Sequence, residues 1–191
     1  MEFLDYKTIT TIIHVLGVIL GAGGAFMSDV MFASSIRDEK VTHTEMRFLR
    51  LGSIVVWIGL AIIIISGFLI FMTDPNGYLA SHKFLAKMTI VAIIVVNGLV
   101  FHLIHIPRLH RHIGHHFPSS DEFERSVPIL LMNGVISVVS WLAAFILGMM
   151  RGLPYNYATI MLTYAIVLAL AIILTLTFRS HFVPRHEAKE K

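Results

Sequence analysis

The chain has no cysteine. Disulfides, thiolate metal sites and iron–sulfur clusters are therefore excluded, and metal chemistry falls to histidine, carboxylate or methionine. Charge is also scarce. Only 14% of residues are Asp, Glu, Lys or Arg, against about 25% in a soluble domain. The sequence contains no phosphate loop, nucleophile elbow, zinc-protease helix or dinucleotide fingerprint. It has no acidic ring or filter-like segment to mark a channel. An inverted repeat, the usual mark of a secondary transporter, is not evident either.

Apolar residues are plentiful, at 56% of the chain, and most of them lie in long runs. About 20 apolar residues cross the hydrocarbon core as a helix, which is the form that satisfies every backbone group in lipid. The pattern predicts an all-α integral membrane bundle, a single membrane domain over 1–191. Five transmembrane helices are expected at about 8–35, 50–72, 84–106, 128–150 and 156–178. The first run is long enough to span and lacks a small-residue cleavage pattern, so it is expected to be retained. Thr73-Asp74-Pro75-Asn76-Gly77 ends the second span, Pro107 ends the third, and Pro128 suits the first turn of the fourth. Arg151-Gly152-Leu153-Pro154 joins the last two spans as a hairpin.

Orientation follows from lysine and arginine in the short loops. One side holds eleven: Arg37, Lys40, Arg47, Arg50, Arg108, Arg111, Arg125, Arg179, Arg185, Lys189 and Lys191. The other holds four: Lys7, Lys83, Lys87 and Arg151. The richer side is expected in the cytoplasm, with the N-terminus outside and the C-terminus inside a cytoplasmic (inner) membrane. The pI of about 9.3 then reflects attraction to lipid headgroups, with no nucleic acid required.

Histidine, at eleven residues, supplies most of the candidate chemistry. His14 lies inside the outer end of span one, where a polar side chain needs a partner. Gly17, Gly21, Gly24 and Ser28 follow it on one helical stripe. Such a stripe either packs a neighbouring helix closely or forms one wall of a cofactor site. Lys87 sits about one turn inside span three, either snorkelling to the headgroups or meeting an anionic group. Lys83 reads as an interface anchor, and His82 as a solvated residue or an axial ligand. His102 and His105, three apart, are expected on one face, and His82 and His102 lie about 30 Å apart at helical rise. His110, His112, His115 and His116 make either a solvated basic loop or a loose metal site, without a carboxylate before Asp121 and Glu122. Asp29, if buried, is expected to pair with His102, His105 or Asn133, or else to sit among headgroups. Asn97 reads as interhelical glue, and Trp57 and Trp141, deeper than an aromatic belt, as residues that pack on a cofactor or on neighbouring helices.

His14-Val-Leu-Gly followed by Gly-Ala-Gly-Gly resembles the first helix of the HemJ-type protoporphyrinogen oxidases and the related CopD-like membrane proteins. Glu45-Met46-Arg47-Phe48-Leu49-Arg50-Leu51, leading into a helix that ends Ser66-Gly67, is similar to their second helix. Phe84-Leu85-Ala86-Lys87-Met88 resembles the HemJ segment that bears a functional lysine. The likeness spans roughly residues 8–106. What it implies is haem binding by His14, with Gly17, Gly21 and Gly24 beside the cofactor and His82 as a further ligand. Lys87 would then be the functional lysine.

Three functional expectations follow. The first is a haem b membrane protein with a redox or electron-transfer role, which would need a membrane or soluble redox partner and could act as a homo-oligomer. The second is a copper-handling or transport protein of CopD-like type, drawing on His14, His82, His102 and His105 with methionine. The third is a non-catalytic subunit or assembly factor.

Overall fold

A computed structural model describes residues 5–37, 42–111, 121–150 and 152–178. Among the described residues every regular element is helical. The helices are α1 (Tyr6–Arg37), α2 (His43–Phe71), the short α3 (Pro75–Ala80), α4 (His82–Val100), α5 (Ile106–Arg111), α6 (Asp121–Met149) and α7 (Tyr157–Thr177). A π-helical turn, Phe101–His105, joins α4 to α5. Five helical stretches are long and apolar enough to cross a membrane: Tyr6–Phe32, His43–Phe71, His82–Arg108, Pro128–Met149 and Tyr157–Thr177. The chain is a multi-pass helical membrane protein. Its apolar side chains face outward as well as inward. Leu162, Ile166 and Ile173 of α7 are all more than half exposed, as lipid-facing residues should be.

Local chemistry sets the helix starts. Thr42 and Glu45 form a reciprocal capping box, with Thr42 N–H donating to Glu45 Oε2 at 2.7 Å and Glu45 N–H donating to Thr42 Oγ1 at 3.2 Å. Two orphan donors are satisfied there, which is why α2 begins at His43 and not near residue 50. Asp74 caps α3 with Pro75 in its first turn. Ser81 caps α4 through Phe84 N–H at 3.3 Å, and Asn156 caps α7 through Thr159 N–H at 2.8 Å.

Both expected proline boundaries are corrected. Helix α6 starts at Asp121 and runs through Pro128, so that proline is interior and removes one backbone donor without ending the helix. The third span likewise continues past Pro107. Proline clashes with the carbonyl four residues back, and here the wider π turn immediately precedes it, with Ile106 N–H donating to Phe101 O.

The bundle is built around an antiparallel α1–α2 pair laid against α4 and α6, with α7 packed on α4 and α6. The small-residue stripe of α1 belongs to the first of these contacts. His14 meets Ser66, Gly21 meets Gly59 and Ser28 meets Gly52. Each set steps by seven residues, in opposite directions along the two helices, which is the periodicity of closely packed helices. A Cβ on Gly17 would stand 2.8 Å from Ile62 Cγ2, and one on Gly59 would stand 2.6 Å from Gly21 Cα. One on Gly24 would lie 3.2 Å from Val55 and Val56. Gly17, Gly21 and Gly24 therefore do not line a cofactor groove, because α2 and the indole of Trp141 fill that space. The central core is Leu60, Ile63, Ala86, Ile90, Ile94 and Trp141.

Hydrogen bonds tie the remaining helices together. Asn97 and Asn133 exchange amide hydrogen bonds between α4 and α6, including Asn97 Nδ2 to Asn133 O at 3.1 Å, as expected of interhelical glue. Ser140 and Tyr164 hydroxyls meet at 2.8 Å between α6 and α7. Gly152, at φ 62°, makes the left-handed turn of the α6–α7 hairpin, which glycine adopts without steric cost.

Candidate functional site

A cleft of about 380 Å³ opens between the α1–α2 pair and α4–α6, at the end of the bundle where α1 begins. That size is within the range of small-molecule sites. Its walls are mostly apolar, from residues such as Leu60, Ile63, Val91 and Phe145. Phe84 and Tyr78 close one end and stack there with Phe71, the Phe71 and Phe84 rings lying 5.7 Å apart. Of the sequence-derived candidates, His14 and Lys87 line this cleft together.

The tautomer of His14 follows from its partner. Ser66 donates its hydroxyl proton to the Ile62 carbonyl at 2.5 Å. The same Oγ lies 2.9 Å from His14 Nδ1 and so accepts from Nδ1–H. In the neutral imidazole Nε2 then carries the free lone pair. Gly67 lets the Nδ1–Cε1 edge approach α2, since a Cβ there would lie 3.4 Å from Cε1. With Nδ1 engaged by Ser66, any ligand would have to meet Nε2. A second hydrogen bond that fixes the far ring nitrogen is the usual support of a metal-ligating histidine.

Lys7, Lys83 and Lys87 line the cleft, and no carboxylate does. Lys83 donates to the Met150 carbonyl at 2.8 Å, tying α4 to the C-terminal end of α6. That is a structural role beyond the interface anchor expected of it. Lys87 reaches over Gly148, where a Cβ would stand 3.9 Å from Nζ. Among the described residues no hydrogen bond or ion pair engages its ammonium. Met88 and Met149 also line the cleft.

No family model, curated protein or solved structure matches this chain. The chemistry of the cleft must therefore be argued from its own side chains.

His82 is exposed at the start of α4 and does not line the cleft. His102 and His105 do not share a face. A π turn advances by less per residue than an α turn, so positions three apart no longer overlay. His102 turns to α2, where its Nδ1 lies 3.0 Å from Ser53 Oγ and its ring meets Trp57 edge-on at 6.5 Å. His105 is 1% exposed, with neither ring nitrogen hydrogen-bonded. Among the described residues no three of His, Asp and Glu converge on a metal position. The grouping of His14, His82, His102 and His105 as metal ligands is accordingly not assembled. The loop histidines His112, His115 and His116 lie outside the described residues, as does Lys40.

A second, smaller cavity of about 50 Å³ lies deeper, between α1, α2, α4 and α6. Asp29 faces it, with Ser137 on the same lining. It pairs with none of the expected partners His102, His105 and Asn133, and Asn133 is already engaged with Asn97. Trp141 lines both cavities and stands between them. Ser66 and Gly52 position these sites from α2. The signal for them was the spacing of Gly52, Gly59 and Ser66 at intervals of seven, which complements the stripe on α1.

Proposed function

We propose that this chain is a haem-binding membrane protein with a redox or electron-transfer role, related to the HemJ/CopD-like proteins. It would take haem b in the cleft between α1–α2 and α4–α6. The observation that carries the reading is an imidazole held through Nδ1 by Ser66, in an apolar cleft lined by three lysines and no carboxylate. Apolar walls suit a macrocycle, and ammonium groups suit its propionates. His14 would be the axial ligand, its ring held by Ser66. Lys87, with Lys7 and Lys83 nearby, would meet the acidic edge. The bound group would supply one-electron chemistry, while the chain supplies orientation and exclusion of water. With the glycine seam filled by α2 and Trp141, the ligand would lie on the cleft side of His14, away from Gly17, Gly21 and Gly24.

Orientation follows the eleven-to-four imbalance of lysine and arginine, with the N-terminus outside and the cleft near the outer face of a cytoplasmic membrane. The test is an optical spectrum of protein purified from haem-replete cells. A Soret band is expected, abolished or strongly weakened in His14→Ala and shifted in haem affinity by Lys87→Ala. Colourless wild-type protein that also fails to bind added haemin refutes the reading.

One observation favours a second reading. Met88 and Met149 line the same cleft as His14, and imidazole with thioether sulfur suits copper(I). Metal analysis after gentle purification, with and without added copper, separates the two. Stoichiometric copper without a Soret band would establish copper handling in place of haem.

A further inference from the structure

The small cavity between the four helices holds a carboxylate for which the cleft has no use. Asp29 lies within the first span, and its Oδ2 is buried without a hydrogen-bond partner. Beside it Ser28 is only 8% exposed, and its Oγ is also buried and unpartnered. Gly52 leaves room for that hydroxyl, because a Cβ there would collide with it. Ser137, Ser53, Asn97 and Asn133 also line it, among apolar walls that include Val56, Ile94 and Phe101; Ser53 bonds to His102 and the two asparagines to each other. Lysine, arginine and histidine are absent from this lining. A carboxylate at membrane depth without a counter-charge is costly. Something must neutralise it.

We infer that Asp29 anchors a binding site for one small monovalent cation, of the sodium class, coordinated with Ser28 and the other oxygens of this cavity. The donors are hard oxygens, with no thioether or imidazole in the lining, which selects against soft transition metals. The lining carries a single negative charge. Calcium and magnesium sites usually bring several oxygen ligands with more than one carboxylate or a phosphate, so one charge matches one monovalent ion. About 50 Å³ is more than the ~10–15 Å³ that one water requires, so a small ion fits. A proton on Asp29 would neutralise the charge but would leave both the space and the Ser28 hydroxyl without a role. The inference stands on different side chains from the haem proposal and does not depend on it.

The experiment is thermal unfolding of the purified full chain in detergent at alkaline pH, where proton competition is least. NaCl is exchanged for choline chloride at constant ionic strength. The wild type is expected to show a saturable rise in midpoint with sodium, as required when an ion binds only the folded state. Equilibrium dialysis with radioactive sodium should give one ion per chain. Asp29→Asn should be insensitive to the exchange. If that variant does not fold, Ser28→Ala serves instead. It should keep the sodium-dependent rise but need about tenfold more sodium to reach half of it, the equivalent of one lost ligand contact. A midpoint indifferent to sodium, or equally raised by choline, overturns the proposal. So does an unaltered sodium response in Asp29→Asn.

Discussion

Gly59→Ala tests the seam on which the rest of the architecture is built. The added methyl would stand 2.6 Å from Gly21 Cα and 2.8 Å from Gly17 O. Both are backbone atoms and cannot rotate away. Reaching ordinary contact at 3.4 Å from 2.6 Å requires α1 and α2 to separate by about 0.8 Å at this point. Overpacking of this kind costs about 1–3 kcal/mol. The disturbance should travel two turns to Ser66, where the 2.9 Å bond to His14 has little slack before it exceeds hydrogen-bond range. Denaturant unfolding in micelles should report the stability loss. A control is built into the same stripe of sequence. Gly23 has open space where its Cβ would be, so Gly23→Ala should be neutral or, through helix propensity, slightly stabilising by up to ~1 kcal/mol. Equal stability of Gly59→Ala and Gly23→Ala would refute the described packing of α1 on α2.

Three further outcomes are expected. Ser66→Ala removes the acceptor that holds His14 Nδ1–H, and haem affinity measured by titration should fall about 10–100-fold; unchanged affinity would show that the ring is oriented by something else. Tyr164→Phe should cost about 0.6–1.7 kcal/mol by losing the buried bond to Ser140, read as a shift in unfolding free energy. Asp5 accepts from Thr8 N–H at 2.7 Å, and its bonds to Thr8 hold its carboxyl below the ordinary 3.8. A depressed carboxylate contributes its stabilisation above its unfolded value and loses it as pH falls through the folded one. The Thr8 amide resonance should therefore shift with a midpoint below 3.8, and a midpoint above that value would contradict the cap.

The five spans were legible because apolar length alone decides them, and the ends of α1 lie only two residues beyond the expected run. Other boundaries were harder to read. Pro107 signals an end and Pro128 a start in water, but a membrane bundle can re-satisfy the backbone groups a proline frees, so α6 begins before Pro128 and the third span continues past Pro107. The capping box at Thr42 was readable from Thr-x-x-Glu, and overlooking it shortened α2. The glycines after His14 were visible as a stripe, but their purpose depended on what faces them. Only the matching interval on α2 shows that Gly59 and Gly52 close the seam. The π turn that carries His102 and His105 leaves no periodic trace in composition. His14 and Lys87 share a cleft because α1 and α4 meet across it, a long-range fact that no local pattern carries.

Trp141 gives the two chambers a common partition. An occupant that pushes the indole outward narrows the cleft, and one that pushes it inward compresses the pocket around Asp29. Were binding on one side to move that ring, affinity on the other would change by an equal and reciprocal factor. Trp57 also lines the small cavity, so in a Trp57→Phe background the emission of Trp141 alone would report on both chambers.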